Sequence, residues 1–100
     1  GQNFAFHGYL PIDKTERKKK LAHLEAESAK TEIAQIFMET PYRNNQMVDD
    51  LTKILRAETK ICVACHITLE DEDIRTLSIK EWKNEKYDFH KRPAIFVMQA

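Results

Sequence analysis

Residues 60–68, Lys-Ile-Cys-Val-Ala-Cys-His-Ile-Thr, are apolar and often β-branched at odd and even positions alike. A strand written this way is apolar on both faces, which suits an interior strand of a layered α/β sheet. The stretch before it has another period. Met47, Val48, Leu51, Ile54 and Leu55 recur at i, i+1, i+4, i+7 and i+8, one apolar stripe along a helix. A helix delivering the chain to such a strand is the basic unit of an α/β fold.

The remaining segments extend this alternation. Residues 3–11 open apolar and aromatic and end at Gly8 and Pro11, which reads as a short strand or extended entry and then a turn. Residues 13–31 are rich in Lys, Glu, Ala and Leu without Gly or Pro, which predicts a helix capped by Asp13 or Thr15. Its buried face is predicted as Leu21, Leu24 and Ser28, flanked by Ala22, Ala26 and Ala29. Residues 33–39 read as a buried strand. Thr40 then stands as N-cap and Pro41 at the first helical position. An acidic turn over 69–73 leads to a strand over 74–79. Ser78 caps a short helix over 79–84 that carries Trp82. After a polar loop over 86–92, Pro93 opens a last strand to residue 98. Phe37, Met38 and Trp82 can be read as core or as interface, and core is the reading taken. The order β-α-β-α-β-β-α-β predicts a single α/β domain, residues 1–100. It is expected to hold a mixed four- to five-stranded sheet with two or three helices packed on it.

Composition narrows the function. The chain has two glycines, Gly1 and Gly8, so neither a Walker loop nor a GxGxxG turn can be written from it. Sixteen basic residues balance sixteen acidic ones, unlike a domain that clamps nucleic acid with its whole surface. No apolar run approaches the ~20 residues of a membrane span, and no signal peptide is visible, so the cytoplasm is expected and no membrane partner. The chain opens on Gly1 without methionine, as a processed protein or a fragment does.

Several residue groups are candidates for chemistry. Cys62 and Cys65 have CxxC spacing, but residues three apart on a strand point to opposite faces and a second ligand pair is missing, so no metal is expected and the thiols read as inert. His66 diverges from Cys65 for the same reason and reads as a structural or cleft-lining residue. Glu70, Asp71, Glu72 and Asp73 read as a solvated acidic turn. Two readings stand for Glu39-Thr40-Pro41-Tyr42-Arg43, where a strand ends and a helix begins: a ligand-facing turn, or a plain helix cap with a surface arginine. Two also stand for Lys14, Arg17, Lys18, Lys19 and Lys20, in the first half of the first helix: a solvated face, or a patch that touches RNA phosphates or a protein. Positive charge there opposes the helix dipole, so local stability alone does not select it.

Three landmarks, in order, resemble one family. Gly8-Tyr9-Leu10-Pro11 before a charged helix is similar to its Gly-Phe-Leu-Pro stretch. Glu39-Thr40-Pro41-Tyr42-Arg43 is similar to Glu-Ser/Thr-Pro-His-Arg, with Tyr42 where His is usual. Pro93-Ala94-Ile95-Phe96-Val97 resembles its closing strand. Over nearly its whole length the chain resembles the C-terminal domain of the tetrapyrrole methylase superfamily, in the branch of the ribosomal RNA small-subunit methyltransferase I type. The resemblance implies a homodimeric, two-domain methyltransferase that holds S-adenosylmethionine between its domains, with the N-terminal catalytic domain outside this chain. It nominates Glu39, Thr40, Ile67, Pro93 and Ala94 for the adenosine side of the cofactor and no catalytic residue here, so this chain alone is expected to be inactive. Where that branch has Ala-Arg-Glu-Leu-Thr-Lys, this chain has Ala64-Cys65-His66-Ile67-Thr68-Leu69, which leaves the acceptor open between ribosomal RNA and another molecule.

Overall fold

The computed structural model describes residues 4–65, 73–89 and 93–100. Five strands form one sheet: β1 (Phe4–Tyr9), β2 (Ala34–Met38), β3 (Lys60–Cys65), β4 (Asp73–Ser78) and β5 (Ala94–Gln99). They lie in the order β1-β2-β5-β3-β4. The helices are α1 (Lys14–Thr31), α2 (Asn44–Ile54) and α3 (Ile79–Trp82), with a 3-10 turn, Pro41–Arg43, ahead of α2. The predicted element order and mixed sheet are both present, with five strands rather than four.

β1 and β2 pair in parallel through the α1 crossover, whereas β5 pairs antiparallel with β2 on one side and β3 on the other. The strand that closes the sequence therefore splits the sheet between two βα units. Local chemistry sets the element ends. Asp13 accepts a hydrogen bond from the Glu16 amide and starts α1. Glu32 ends α1 in the left-handed region at φ 60°, its amide donating to the Ser28 carbonyl. Gly8 (φ 70°) lets β1 kink where its register with β2 shifts.

The helices cover one face of the sheet. Their apolar side chains, Leu21, Leu24, Met47, Val48, Leu51, Ile79 and Trp82, meet Phe37, Phe96, Met98, Ile61 and Val63. Phe37 and Phe96, paired across β2 and β5, stack with centroids 5.5 Å apart. The Trp82 indole N–H donates to the Ile61 carbonyl at 3.0 Å. The opposite face carries Phe4, Phe6, Ile36, Met38, Cys62, Ile74, Ile95 and Val97, and among the described residues no helix lies over it; none of these is fully buried. Burial of β3 on both sides is thus met fully on the helix side, while on the open face Ala64 is buried and Cys62 half-buried. Met38, read as core, also belongs to the open face, while Phe37 and Trp82 are core.

Other expectations are corrected. Ala22, Ala26 and Ala29 are exposed, and the buried stripe of α1 is Arg17, Leu21, Leu24, Glu25 and Ser28. Asp73 opens β4 instead of closing a turn, Pro93 lies just outside β5, and α3 ends at Trp82. Phe89, in the polar segment, is fully buried against Trp82 and Tyr87.

Candidate functional site

Strand polarity gathers the nominated segments at one edge of the sheet. Met38, the last residue of β2, pairs with Ile95 of β5; Ala94, the first residue of β5, pairs with Cys65, the last of β3. Tyr9 at the end of β1 and Asp73 at the start of β4 lie at the same edge. Glu39, Thr40, Pro93 and Ala94 thus come together from positions more than fifty residues apart in sequence, across one strand spacing of about 5 Å. Ile67, His66 and the carboxylates Glu70, Asp71 and Glu72 lie outside the described residues.

Glu39 faces inward. Its side chain is buried and takes a hydrogen bond from Arg17 Nη1 at 2.5 Å and another from the Thr40 amide at 2.8 Å. Arg17 is itself buried, although it belongs to the run read as a solvated or RNA-facing stretch. Its Nε faces Asp50 of α2 at 3.1 Å, an ion-pair contact without hydrogen-bond alignment, and Nη2 reaches the Met47 sulfur at 3.4 Å. One guanidinium ties α1 and α2 to the end of β2. This explains a cation early in α1: the two carboxylates outweigh the unfavourable helix dipole. The signal was in the spacing, since Arg17 precedes Leu21, Leu24 and Ser28 by 4, 7 and 11 residues, on their own stripe.

With Glu39 turned inward, the outer surface of the β2 end is Thr40 and the turn after it. Thr40 occupies the N-cap position of the 3-10 turn with extended backbone, and Pro41 follows at the first position as predicted, but the Thr40 side chain makes no capping bond. It is exposed. Pro93 is exposed and Ala94 buried. Of the two readings of 39–43, the helix cap is met in backbone geometry, without a capping bond from the Thr40 hydroxyl.

The flanks are also fixed. At the start of α2, Asn45 binds both Asp88 and the Phe89 amide, and the Asn44 side chain donates to the Phe89 carbonyl at 3.1 Å. These bonds hold the segment that returns toward Pro93. Beyond it, Arg75 pairs with Asp73 through two nitrogens at 3.0 and 2.8 Å, binds Glu85 and the Lys86 carbonyl, and lies 5.6 Å over the Phe89 ring. The Asp73 hydrogen bond raises its pKa further, which keeps Arg75 cationic. Beside the β2 end, Lys14, Lys18 and Lys53 rim a concavity of about 230 Å³ with Arg17 and Asp50 in its wall.

Cys62 is half-buried on the open face and Cys65 buried on the helix face, opposite sides as expected. Among the described residues no three His, Cys, Asp or Glu side chains are grouped to hold a metal, and no helix is long and apolar enough to cross a membrane.

No family model matches the chain. It is 32% identical over 79 residues to Ribosomal RNA small subunit methyltransferase I of Vibrio cholerae serotype O1, a match covering 79% of this chain and 26% of that protein. The chain thus spans about a quarter of the curated relative it matches. In structure it is similar to the methyltransferase CobJ, with a TM-score of 0.55 over 99% of this chain and 41% of that one; at 14% identity the likeness is one of fold.

Proposed function

We propose that this chain, a domain of the tetrapyrrole methylase type, is the C-terminal half of a two-domain S-adenosylmethionine-dependent methyltransferase and closes the cleft between the halves. The observation that carries the reading is the convergence of the β2, β3 and β5 ends on one edge. In open α/β sheets ligands sit outside strand ends.

The residues at that edge fit the adenosine side of the cofactor. Adenosine is neutral, and the carboxylate at the β2 end, Glu39, is already paired inside with Arg17. Thr40 offers an uncommitted hydroxyl, and Pro93 and Ala94 let the backbone approach closely. The bound cofactor supplies an electrophilic methyl group on a sulfonium. This chain's part is orientation and exclusion of water, which lower the barrier by fixing the reactants in place. Arg17 and the Asn44–Phe89 bond hold the two sides of the edge at a set separation. The catalytic residues belong to the other half, so residues 1–100 alone transfer no methyl group.

For the acceptor we favour ribosomal RNA. The exposed lysines 14, 18 and 53 stand beside the same edge, because Arg17 ties the start of α1 to Glu39. They form a short track for phosphates while the chain stays neutral overall. The competing reading is a non-catalytic module that binds RNA or protein through Lys14, Lys18, Lys19 and Lys20 alone.

Calorimetric titration of the full-length protein with S-adenosylhomocysteine tests the proposal. Binding is expected, and Thr40→Ala weakens it by about 2- to 12-fold, the loss of one hydrogen bond worth about 0.5–1.5 kcal/mol. Replacing the three lysines by alanine lowers RNA methylation and its salt dependence, and leaves that titration unchanged. Absence of binding by the full-length protein overturns the methyltransferase reading; RNA binding without it leaves the competing one.

A further inference from the structure

The lysines account only for the rim of the concavity beside the β2 end. Its wall holds Asp50, a carboxylate that is 18% exposed. A surface that had only to attract phosphates would exclude it, because a like charge in the wall opposes an anion. Pairing within the fold does not use Asp50 up. Its Oδ1 accepts from the Gln46 side-chain amide at 2.8 Å. Its Oδ2 faces Arg17 Nε at 3.1 Å out of alignment, and that N–H, on a side chain 4% exposed, makes no hydrogen bond among the described residues. A carboxylate has about four acceptor positions, so Asp50 keeps capacity for a donor. Lys14 and Lys18 stand exposed one turn apart on α1, whereas Lys53 is shared with Asp49 at 2.9 Å. Half-buried Ile54 adds an apolar patch. At about 230 Å³ the space is below the ~300–1,000 Å³ of pockets for whole ligands, and suits a fragment of a longer one.

We infer that this concavity selects ribose over deoxyribose: it seats one sugar-phosphate unit of a strand, Lys14 and Lys18 taking the phosphate and Asp50 accepting a hydrogen bond from the 2′-hydroxyl. The inference deepens the acceptor reading given above and rests on it. A ribose phosphate matches each part of the site. Its anion meets the lysines, its hydroxyl meets the carboxylate, and the carbon face of its ring meets Ile54. Inside a strand the 3′-oxygen is esterified, so the 2′-hydroxyl is the one donor the sugar offers, and it is the group by which a protein tells RNA from DNA. A deoxyribose strand brings the anion and leaves Asp50 opposing it. An acidic peptide brings carboxylates that Asp50 repels. The lysines thus supply affinity for any phosphate chain, and Asp50 supplies the choice of sugar.

The experiment is fluorescence anisotropy of the full-length protein with three labelled single strands of one sequence: oligouridylate, its 2′-deoxy form and its 2′-O-methyl form. Oligouridylate is expected to bind about tenfold more tightly than the other two, the low end for a hydrogen bond to a charged group. The 2′-O-methyl strand keeps the oxygen and loses the donor, so this comparison needs no altered protein. Asp50→Ala is expected to bring the RNA-to-DNA ratio to about one without weakening the deoxy strand, since the opposing charge is gone. A carboxylate that only held the fold would weaken both strands alike and keep the ratio. Lys18→Ala lowers both affinities and keeps the ratio. Equal binding of the three strands by the unaltered protein overturns this inference and leaves the RNA acceptor standing. A ratio retained in Asp50→Ala also overturns it. Absence of binding by every strand overturns it together with the RNA acceptor, while the titration with S-adenosylhomocysteine judges the methyltransferase reading separately.

Discussion

Arg17 shows what one misplaced-looking charge can do. Its guanidinium answers Glu39 and Asp50 from the interior, and a carboxylate left in that place alone is strongly unfavourable. Arg17→Met is expected to lose about 3–5 kcal/mol, a large share of the ~5–15 kcal/mol of an ordinary domain. Adding Glu39→Gln to it recovers part of that loss. Urea denaturation of the two variants checks both statements. Two backbone positions have opposite signs. At Gly8 (φ 70°) an added Cβ meets nothing nearer than a Phe6 ring carbon at 4.0 Å, so Gly8→Ala costs only the strain of the left-handed region, about 1–2 kcal/mol. At Glu32 the chain already bears that strain at φ 60°, and Glu32→Gly is expected to raise the melting temperature.

At the scale of elements, α3 is four residues long and is held by its cap: Ser78 Oγ accepts from the Glu81 amide, and Glu81 accepts from the Ser78 amide. That backbone hydrogen bond holds the Glu81 carboxyl below its ordinary 4.5. Its contribution to stability is therefore complete above that value and is lost as the pH falls through the lower folded value. Glu81→Gln should flatten this part of the acid limb, read as a smaller drop in melting temperature between about pH 6 and about pH 3. Ser78 was legible as a cap because a short polar residue stood before an apolar pair with Glu three residues on, and Asp13 was legible for the same kind of reason. All eight elements were readable because period and punctuation are local. The insertion of β5 between β2 and β3 was not, since pairing depends on distant partners. Nor was the burial of Phe89, which lies in a polar stretch and is drawn in by Trp82, Tyr87 and the side chains that begin α2. In the candidate site the Thr-Pro turn was visible in sequence; the inward turn of Glu39 was not, because its partner lies 22 residues earlier on another element.

For the whole molecule, the sheet is apolar on both sides, the helix side buried and the other holding the half-buried Ile36, Met38, Ile95 and Val97. The place of β5 carries one more consequence, for the order in which the chain is made. Of the five strands it leaves the ribosome last, yet β2 and β3 meet only through it. Until then the nascent protein holds two separate ribbons, β1–β2 and β3–β4, each with an unpaired inner margin, and two-stranded ribbons are marginal in water. Translation arrested before Ala94 would leave a vacant slot rather than a shortened sheet. A free peptide of residues 93–100 supplied to that truncated chain is the natural occupant of the slot, so the domain can be divided there and rejoined without a covalent bond.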